Sequence, residues 1–397
     1  MSEAGTERET KSARSHTRGN NTQKSSSSGY LKTILLVSFV GALAWIYQSI
    51  QPPPAKIVGS PGGAAVTSPR IKLRDGRHLA YKEFGIPSDE AKFKIIFIHG
   101  FDSCTHDSPF AHFLSPALME ELRIYTLSFD RPGYGESDPN LNGSPRSIAL
   151  DIEELADGLG LGPKFYLFGL SMGGEITWAC LNYIPHSCGT FCLVVDFVNR
   201  LAGAVLVAPG INYWWRNLPG DVTSEAFSLM YPADQWALRV AHYAPWLTYW
   251  WNTQKWFSFS NVIAGNPIIF SRQDMEILSK LGFVNPNRAY TRQQGDYVSL
   301  HRDLNVGFSR WGFGPLDLQD PFPNKNGSVH LWQGDEDKFV PVKLQRCIVS
   351  KLPWIRYHEI SGSGHFLLFA EGMTDKILKS LLIGEEEVVT ESRKASI

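Results

Sequence analysis

The chain is short of charge and short of cysteine, and each shortage narrows what it can be. Of its 397 residues only 19% are Asp, Glu, Lys or Arg, and the 38 basic and 39 acidic side chains nearly cancel. Such a balance supplies no basic face for nucleic acid at the level of the whole chain. Cysteine occurs five times, as Cys104, Cys180, Cys188, Cys192 and Cys347. The number is odd and the positions scattered, so no disulfide framework is implied. Cys188 and Cys192 lie four apart without a matching His or Cys pair, so no zinc site is expected. Neither a metal nor a cofactor is expected on this reading. Apolar residues take the place of charge, with 43% hydrophobic and 12% aromatic, a profile suited to a large buried core.

Residues 1–29 are rich in Ser, Thr, Asn and charge, bury nothing, and read as a disordered arm. An uncharged run of 18 residues follows, from Thr33 to Ile50. As a helix at ~1.5 Å per residue it reaches across a thin bilayer core of ~27 Å, and residues 30–50 are read as a transmembrane signal anchor. A cleaved signal or a buried helix would present a similar run, but Gln51–Pro54 follows it instead of a small-residue cleavage site. Arg14, Arg18, Lys24 and Lys32 precede the run and only Lys56 follows closely. That asymmetry favours a cytosolic N-terminus in an endomembrane such as the ER. The odd cysteine count points the other way, towards a reducing side for the main body, so the orientation stays open.

Residues 51–69 form a Pro/Gly/Ser linker, stiff and then flexible. From Arg70 short β-like runs alternate with helical stretches. Ile71–Leu73 and His78–Phe84 flank the hairpin signal Asp75-Gly76. Lys94–His99, Arg123–Phe129, Lys164–Leu170, Leu201–Ala208, Ser328–Gln333 and Ile355–Ile360 are apolar runs of buried-strand length, while Pro109–Leu122 and Ser147–Leu159 show helical spacing. Strand, helix, strand at this rhythm implies an α/β fold with a mostly parallel sheet covered on both faces.

The expected core spans residues 70–210 and 327–383, and a disordered tail takes up 384–397. Two stretches break the rhythm. Residues 187–199 look like a strand without a slot in the sheet and are read as an atypical surface insertion. Residues 211–326 hold Trp214, Trp215, Trp236, Trp246, Trp250, Trp251, Trp256 and Trp311, eight of the twelve tryptophans. This segment is read as a helical lid, with its aromatics either packing on one another or lining an apolar pocket.

Chemistry concentrates at three points. Gly169-Leu170-Ser171-Met172-Gly173 follows an apolar strand and precedes a helical stretch, which is the context that exposes a serine hydroxyl on a sharp turn. A serine hydroxyl needs a base, and the base needs an orienting carboxylate. His365, in the small-residue loop Ser361–Phe366, is the expected base. Asp337, three residues past Gly334, is the expected acid, with Asp335 as its rival and Glu336 pointing away. His242, His301, His330 and His358 fit a lid or strand interiors better. The backbone amides of Phe101 and Met172 would form an oxyanion hole, unless His99-Gly100 merely ends a strand. Asp130–Ser137 is read as structural support, with Asp130 and Arg131 orienting neighbouring loops.

From about Arg70 to Leu382 these motifs resemble the α/β-hydrolase fold family. The carrying residues are His99-Gly100-Phe101-Asp102, Asp130–Ser137, the Ser171 turn, Gly334-Asp335-Glu336-Asp337 and Gly364-His365. The family's order of Ser, acid, then His is kept. Anchor, linker and Trp-rich lid resemble membrane-anchored plant members without an assigned substrate. The resemblance implies a serine esterase acting through an acyl-enzyme. A serine at the turn, where the epoxide-hydrolase and dehalogenase branches carry an aspartate, disfavours those branches. The expected partners are a small hydrophobic ester and the lipid bilayer. An acyltransferase with the same residues, or a low-turnover ligand receptor, is the competing expectation, and the oligomeric state is not legible.

Overall fold

The computed structural model describes residues 27–184, 200–282 and 285–384. The expected insertion at 187–199, nearly all of the N-terminal arm and nearly all of the C-terminal tail lie outside the described residues. The chain divides into two units, residues 1–50 and 51–397. The first contains helix α1, Ser27–Ser49, in which Gly29–Ser49 has a mean hydropathy of 1.7 and no residue of its most apolar stretch is buried. At 1.5 Å per residue its 23 residues extend ~34 Å, long and apolar enough to cross a membrane.

The second unit is built on eight strands: β1 (Arg70–Lys72), β2 (His78–Gly85), β3 (Phe93–Ile98), β4 (Ile124–Phe129), β5 (Phe165–Leu170), β6 (Leu201–Val207), β7 (Val329–Gly334) and β8 (Ile355–Ile360). Each lies within one residue of a strand-like run picked out in the sequence. Their order across the sheet is β1-β2-β4-β3-β5-β6-β7-β8. The pairs β1–β2 and β2–β4 are antiparallel and the rest parallel. Every residue of β4, β6 and β7 is buried, as strands covered on both faces require. At the hairpin, the Asp75 carboxylate accepts the Arg77 amide at 3.0 Å.

The helix expected over Pro109–Leu122 is broken. A 3₁₀ turn at Pro109–Ala111 precedes α2, Pro116–Leu122. Ser115 stands before a proline, which disfavours helical backbone at the preceding residue. It takes an extended ψ of 132° and caps α2 through its hydroxyl. Helix α3, Pro145–Gly158, starts at a Ser144 cap and buries Ile148, Ile152 and Leu155. Helix α4, Met172–Tyr183, is buried over its first ten residues and lies behind the Ser171 turn.

Residues 51–69 are not the free linker the composition suggests. Val58 is buried, the Lys56 amide donates to the Gln294 carbonyl at 3.0 Å, and the amides of Thr67 and Ser68 donate to the Glu136 carboxylate. Glu136 is itself buried, so its charge requires those donors.

Among the described residues, helices and turns but no strand lie between β6 and β7. The tryptophans there mostly meet other aromatics. Trp214 stacks on His242, Trp215 meets Trp311, and Trp251 meets both Trp236 and Phe257. Trp236, Trp246 and Trp256 are 53%, 52% and 79% exposed, so they face outward.

One histidine pair, His330 buried and His358 half-buried, should make stability depend on pH. His330 on β7 and His358 on β8 share a hydrogen bond of 3.0 Å between Nδ1 and Nε2. Burial, then the charges of His358 and Arg356, push His330 down to about 3. Burial, then Lys376 and Arg356, push His358 down to about 4. An unfolded histidine protonates near pH 6.5. Below that pH the unfolded chain binds more protons than the folded one, so stability present above about 6.5 is lost as pH falls towards 4. Urea midpoints should decline over that window, and a His330→Gln/His358→Gln variant should show a shallower decline. An equal slope in both proteins would rule the pair out as a source.

Candidate active site

The site forms where β5, β7 and β8 end on one edge of the sheet. Ser171 joins β5 to α4 with φ 54° and ψ −118°, a conformation costing a non-glycine residue on the order of 1–3 kcal/mol. The turn is held from both sides. The Ser171 amide donates to Val207, and its carbonyl accepts the amides of Glu175 and Gly210, each at 2.9 Å. Glycine is required alongside, because a Cβ on Gly173 would lie 1.9 Å from the Ile98 carbonyl oxygen and one on Gly169 would lie 2.3 Å from Thr177 Oγ1. Larger residues would push α4 off the strands.

Across from the serine, His365 Nε2 lies 2.9 Å from Ser171 Oγ, and its Nδ1 lies 2.8 Å from Asp337 Oδ2. A carboxylate can only accept, so Nδ1 carries the hydrogen and Nε2 is the acceptor facing the hydroxyl. The Asp337 side chain is fully buried. Its Oδ1 accepts the amides of Phe339 and Val340 at 2.8 and 2.9 Å, and its Oδ2 also accepts Gln333 Nε2 at 3.0 Å. The Phe339 ring stacks on the imidazole at 4.6 Å. Burial alone would lower the His365 pKa. The charge and hydrogen bond of Asp337, with the charge of Asp274, outweigh it and hold the imidazole above its ordinary value of 6.5.

The rival carboxylates lie elsewhere. Asp335 accepts the Gly362 amide and the Ser361 hydroxyl, so it shapes the base of the histidine loop. Glu336 is exposed. Gly100 abuts the serine, and a Cβ there would lie 3.2 Å from Ser171 Cβ. Phe101 follows it and Met172 opens α4. Among the described residues neither amide has a hydrogen-bond acceptor. The Gly100 turn is pinned by Arg131, whose guanidinium donates to the carbonyls of His99 and Gly100 and whose amide donates to His99 Nε2. Arg131 in turn pairs with buried Asp303 from the segment between β6 and β7, which also accepts the Tyr134 hydroxyl at 2.9 Å. Asp130 accepts from the Thr105 and Glu136 amides and the Tyr290 hydroxyl, joining three loops.

Sequence reasoning passed over Asp274 and Glu175. Asp274 belongs to the helix Arg272–Leu281 between β6 and β7, and its carboxylate reaches the amides of His365 and Phe366. The signal for it was a Ser271-x-x-Asp274 capping box, which marks a helix start and is silent on any distant partner. Glu175 lies in the first turn of α4, fully buried, and its carboxyl oxygens have no hydrogen-bond partner among the described residues. Burial, then the nearby charge of Asp303, raises its pKa well above the carboxylate range, against the opposing charge of Arg131. Among the described residues no group of three or more His, Cys, Asp or Glu side chains is placed to hold a metal ion.

With strand order, serine turn and histidine loop in view, the class is plain. The chain belongs to the alpha/beta hydrolase family, whose sequence pattern matches residues 95–375. Solved structures agree on the fold. An esterase from Exiguobacterium antarcticum is 16% identical, with 79% of this chain and 97% of that one covered at a TM-score of 0.51. A bromoperoxidase from Bacillus anthracis is 15% identical, with 79% and 98% covered at 0.51. Those two names denote different chemistries on one fold, so the reaction must be argued from the site.

Proposed function

We propose that this chain is a membrane-anchored serine hydrolase that cleaves carboxylic esters of hydrophobic or lipid acids through an acyl-enzyme on Ser171. The observation that carries the reading is the unbroken line of hydrogen bonds from Ser171 Oγ through His365 to buried Asp337. Neutral His365 takes the hydroxyl proton as Ser171 attacks the acyl carbonyl, and Asp337 stabilises the imidazolium so formed. The amides of Phe101 and Met172 receive the developing oxyanion, each such donor being worth ~3 kcal/mol of transition-state stabilisation. The imidazolium then protonates the departing alcohol, and water activated by the same imidazole hydrolyses the acyl-enzyme.

Helix α1 has the length and polarity of a single bilayer crossing, and the basic residues before it suit a cytosolic N-terminus in an endomembrane. Outward-facing Trp236, Trp246 and Trp256 suit a lipid–water interface, where amphipathic rings are favoured, and so favour a lipid-derived ester. A panel of p-nitrophenyl esters of increasing chain length tests the reading. Wild type should turn over with a preference for longer acyl chains, and Ser171→Ala should lose at least ~10³-fold. A fluorophosphonate probe should label wild type alone. Equal turnover by both proteins sinks the assignment.

A further inference from the structure

The loop that carries His365 leaves β8, an edge strand of the sheet. Its beginning, Ser361-Gly362, is held by Asp335. Its end is held by the lid. The amides of Gly364, His365 and Phe366 donate in succession to Gln273 Oε1 at 2.9 Å, Asp274 Oδ2 at 3.2 Å and Asp274 Oδ1 at 2.7 Å. Asp274 is completely buried. Capping its own helix occupies one oxygen, which accepts the Ser271 amide at 3.0 Å. The other oxygen serves only the histidine loop among the described residues. The approach is close enough to exclude a side chain at Gly364, where a Cβ would fall 2.1 Å from Ser271 Oγ and 2.2 Å from Asp274 Oδ2.

We infer that Asp274 is a positioning residue, by which the lid helix Arg272–Leu281 clasps the histidine loop and holds the imidazole on Ser171 only while the lid is seated. The inference rests on His365 being the base, and it adds that the base is supported from the lid as well as from the sheet. Misplacing a reacting group by about 1 Å costs on the order of 10²-fold in rate, so three backbone bonds at this point govern turnover. Two charged groups face His365, Asp337 from the loop after β7 and Asp274 from the lid helix, while Ser171, Phe339 and Phe366 complete its surroundings without charge. Removing the Asp274 charge therefore also makes the imidazole easier to deprotonate.

The test uses the full chain in detergent, with p-nitrophenyl butyrate and a fluorophosphonate probe across pH and hydrogen exchange at residues 364–366. Asp274→Asn should lower kcat and the labelling rate ~10–100-fold with little change in KM. It should move the acid limb of the pH profile to lower pH and speed exchange of the loop amides. Ser271→Ala weakens the same helix cap without removing an acceptor from the loop amides, and should leave labelling and the acid limb as in wild type. If Asp274→Asn does not fold, Gln273→Ala releases the Gly364 amide alone and should slow labelling several-fold. Wild-type labelling and an unmoved acid limb in Asp274→Asn, or an equal loss in Ser271→Ala, overturns the clasp. A wild type that never labels overturns the hydrolase reading, and faster loop exchange in Asp274→Asn would still register the mechanical contact by itself.

Discussion

Asparagine in place of Asp337 should lower kcat by about 10³–10⁴-fold while leaving the fold intact. The size of the effect follows from how the carboxylate is held. Oδ1 is claimed by the amides of Phe339 and Val340, and Oδ2 by His365 Nδ1 and Gln333 Nε2. An asparagine has one acceptor oxygen, and the two backbone donors cannot move away from it. The new amino group is then left facing His365. It donates to Nδ1, so the hydrogen moves to Nε2, and the imidazole presents a donor to a hydroxyl whose proton it should accept. Acyl-enzyme formation followed in a single turnover isolates this step. A loss of less than tenfold, with an unchanged circular dichroism spectrum, would show that the tautomer is set by something other than Asp337.

The largest stability effect should come from the buried Arg131–Asp303 ion pair. Arg131 and Asp303 are 1% and 5% exposed, so neither charge has water to fall back on. Asp303→Ala leaves a buried guanidinium without its carboxylate, which costs about 3–5 kcal/mol and lowers the melting midpoint by on the order of 10 °C. Activity should fall further than stability explains at assay temperature, because Arg131 pins the carbonyls of His99 and Gly100 next to the serine. A paired Arg131→Met/Asp303→Leu replacement removes both charges together and should be less unstable than Asp303→Ala. Calorimetry on the three proteins separates these outcomes, and a single variant as stable as wild type would refute the argument.

What could be read beforehand follows the range of the interactions involved. Strands announced themselves because a residue run buried on both faces has little choice but to be apolar. Ser171 stood out because close strand–helix contact demands Gly169 and Gly173 on either side. That Asp337 and not Asp335 meets His365 was a matter of two positions, and the structure supplies the reason: Asp335 is already engaged by Ser361 and Gly362. Asp274 could not be read, since its cap pattern is local and its loop partners lie 91 and 92 residues away. The docking of residues 51–69 was hidden similarly, because Pro, Gly and Ser signal the lack of regular structure and say nothing of a buried Glu136 in need of donors.

The long excursion between β6 and β7 departs from and returns to neighbouring strands, with Val207 opposite Trp332. Adjoining strands are about 4.8 Å apart whatever is looped out between them. The sheet is therefore indifferent to the size of the excursion, and this part of the chain is where lineages of such a protein can diverge while the serine stays put. Any replacement inherits two obligations: it must still offer an acceptor to the amides beside His365 and a carboxylate to buried Arg131. A graft that meets only the second would fold and turn over slowly.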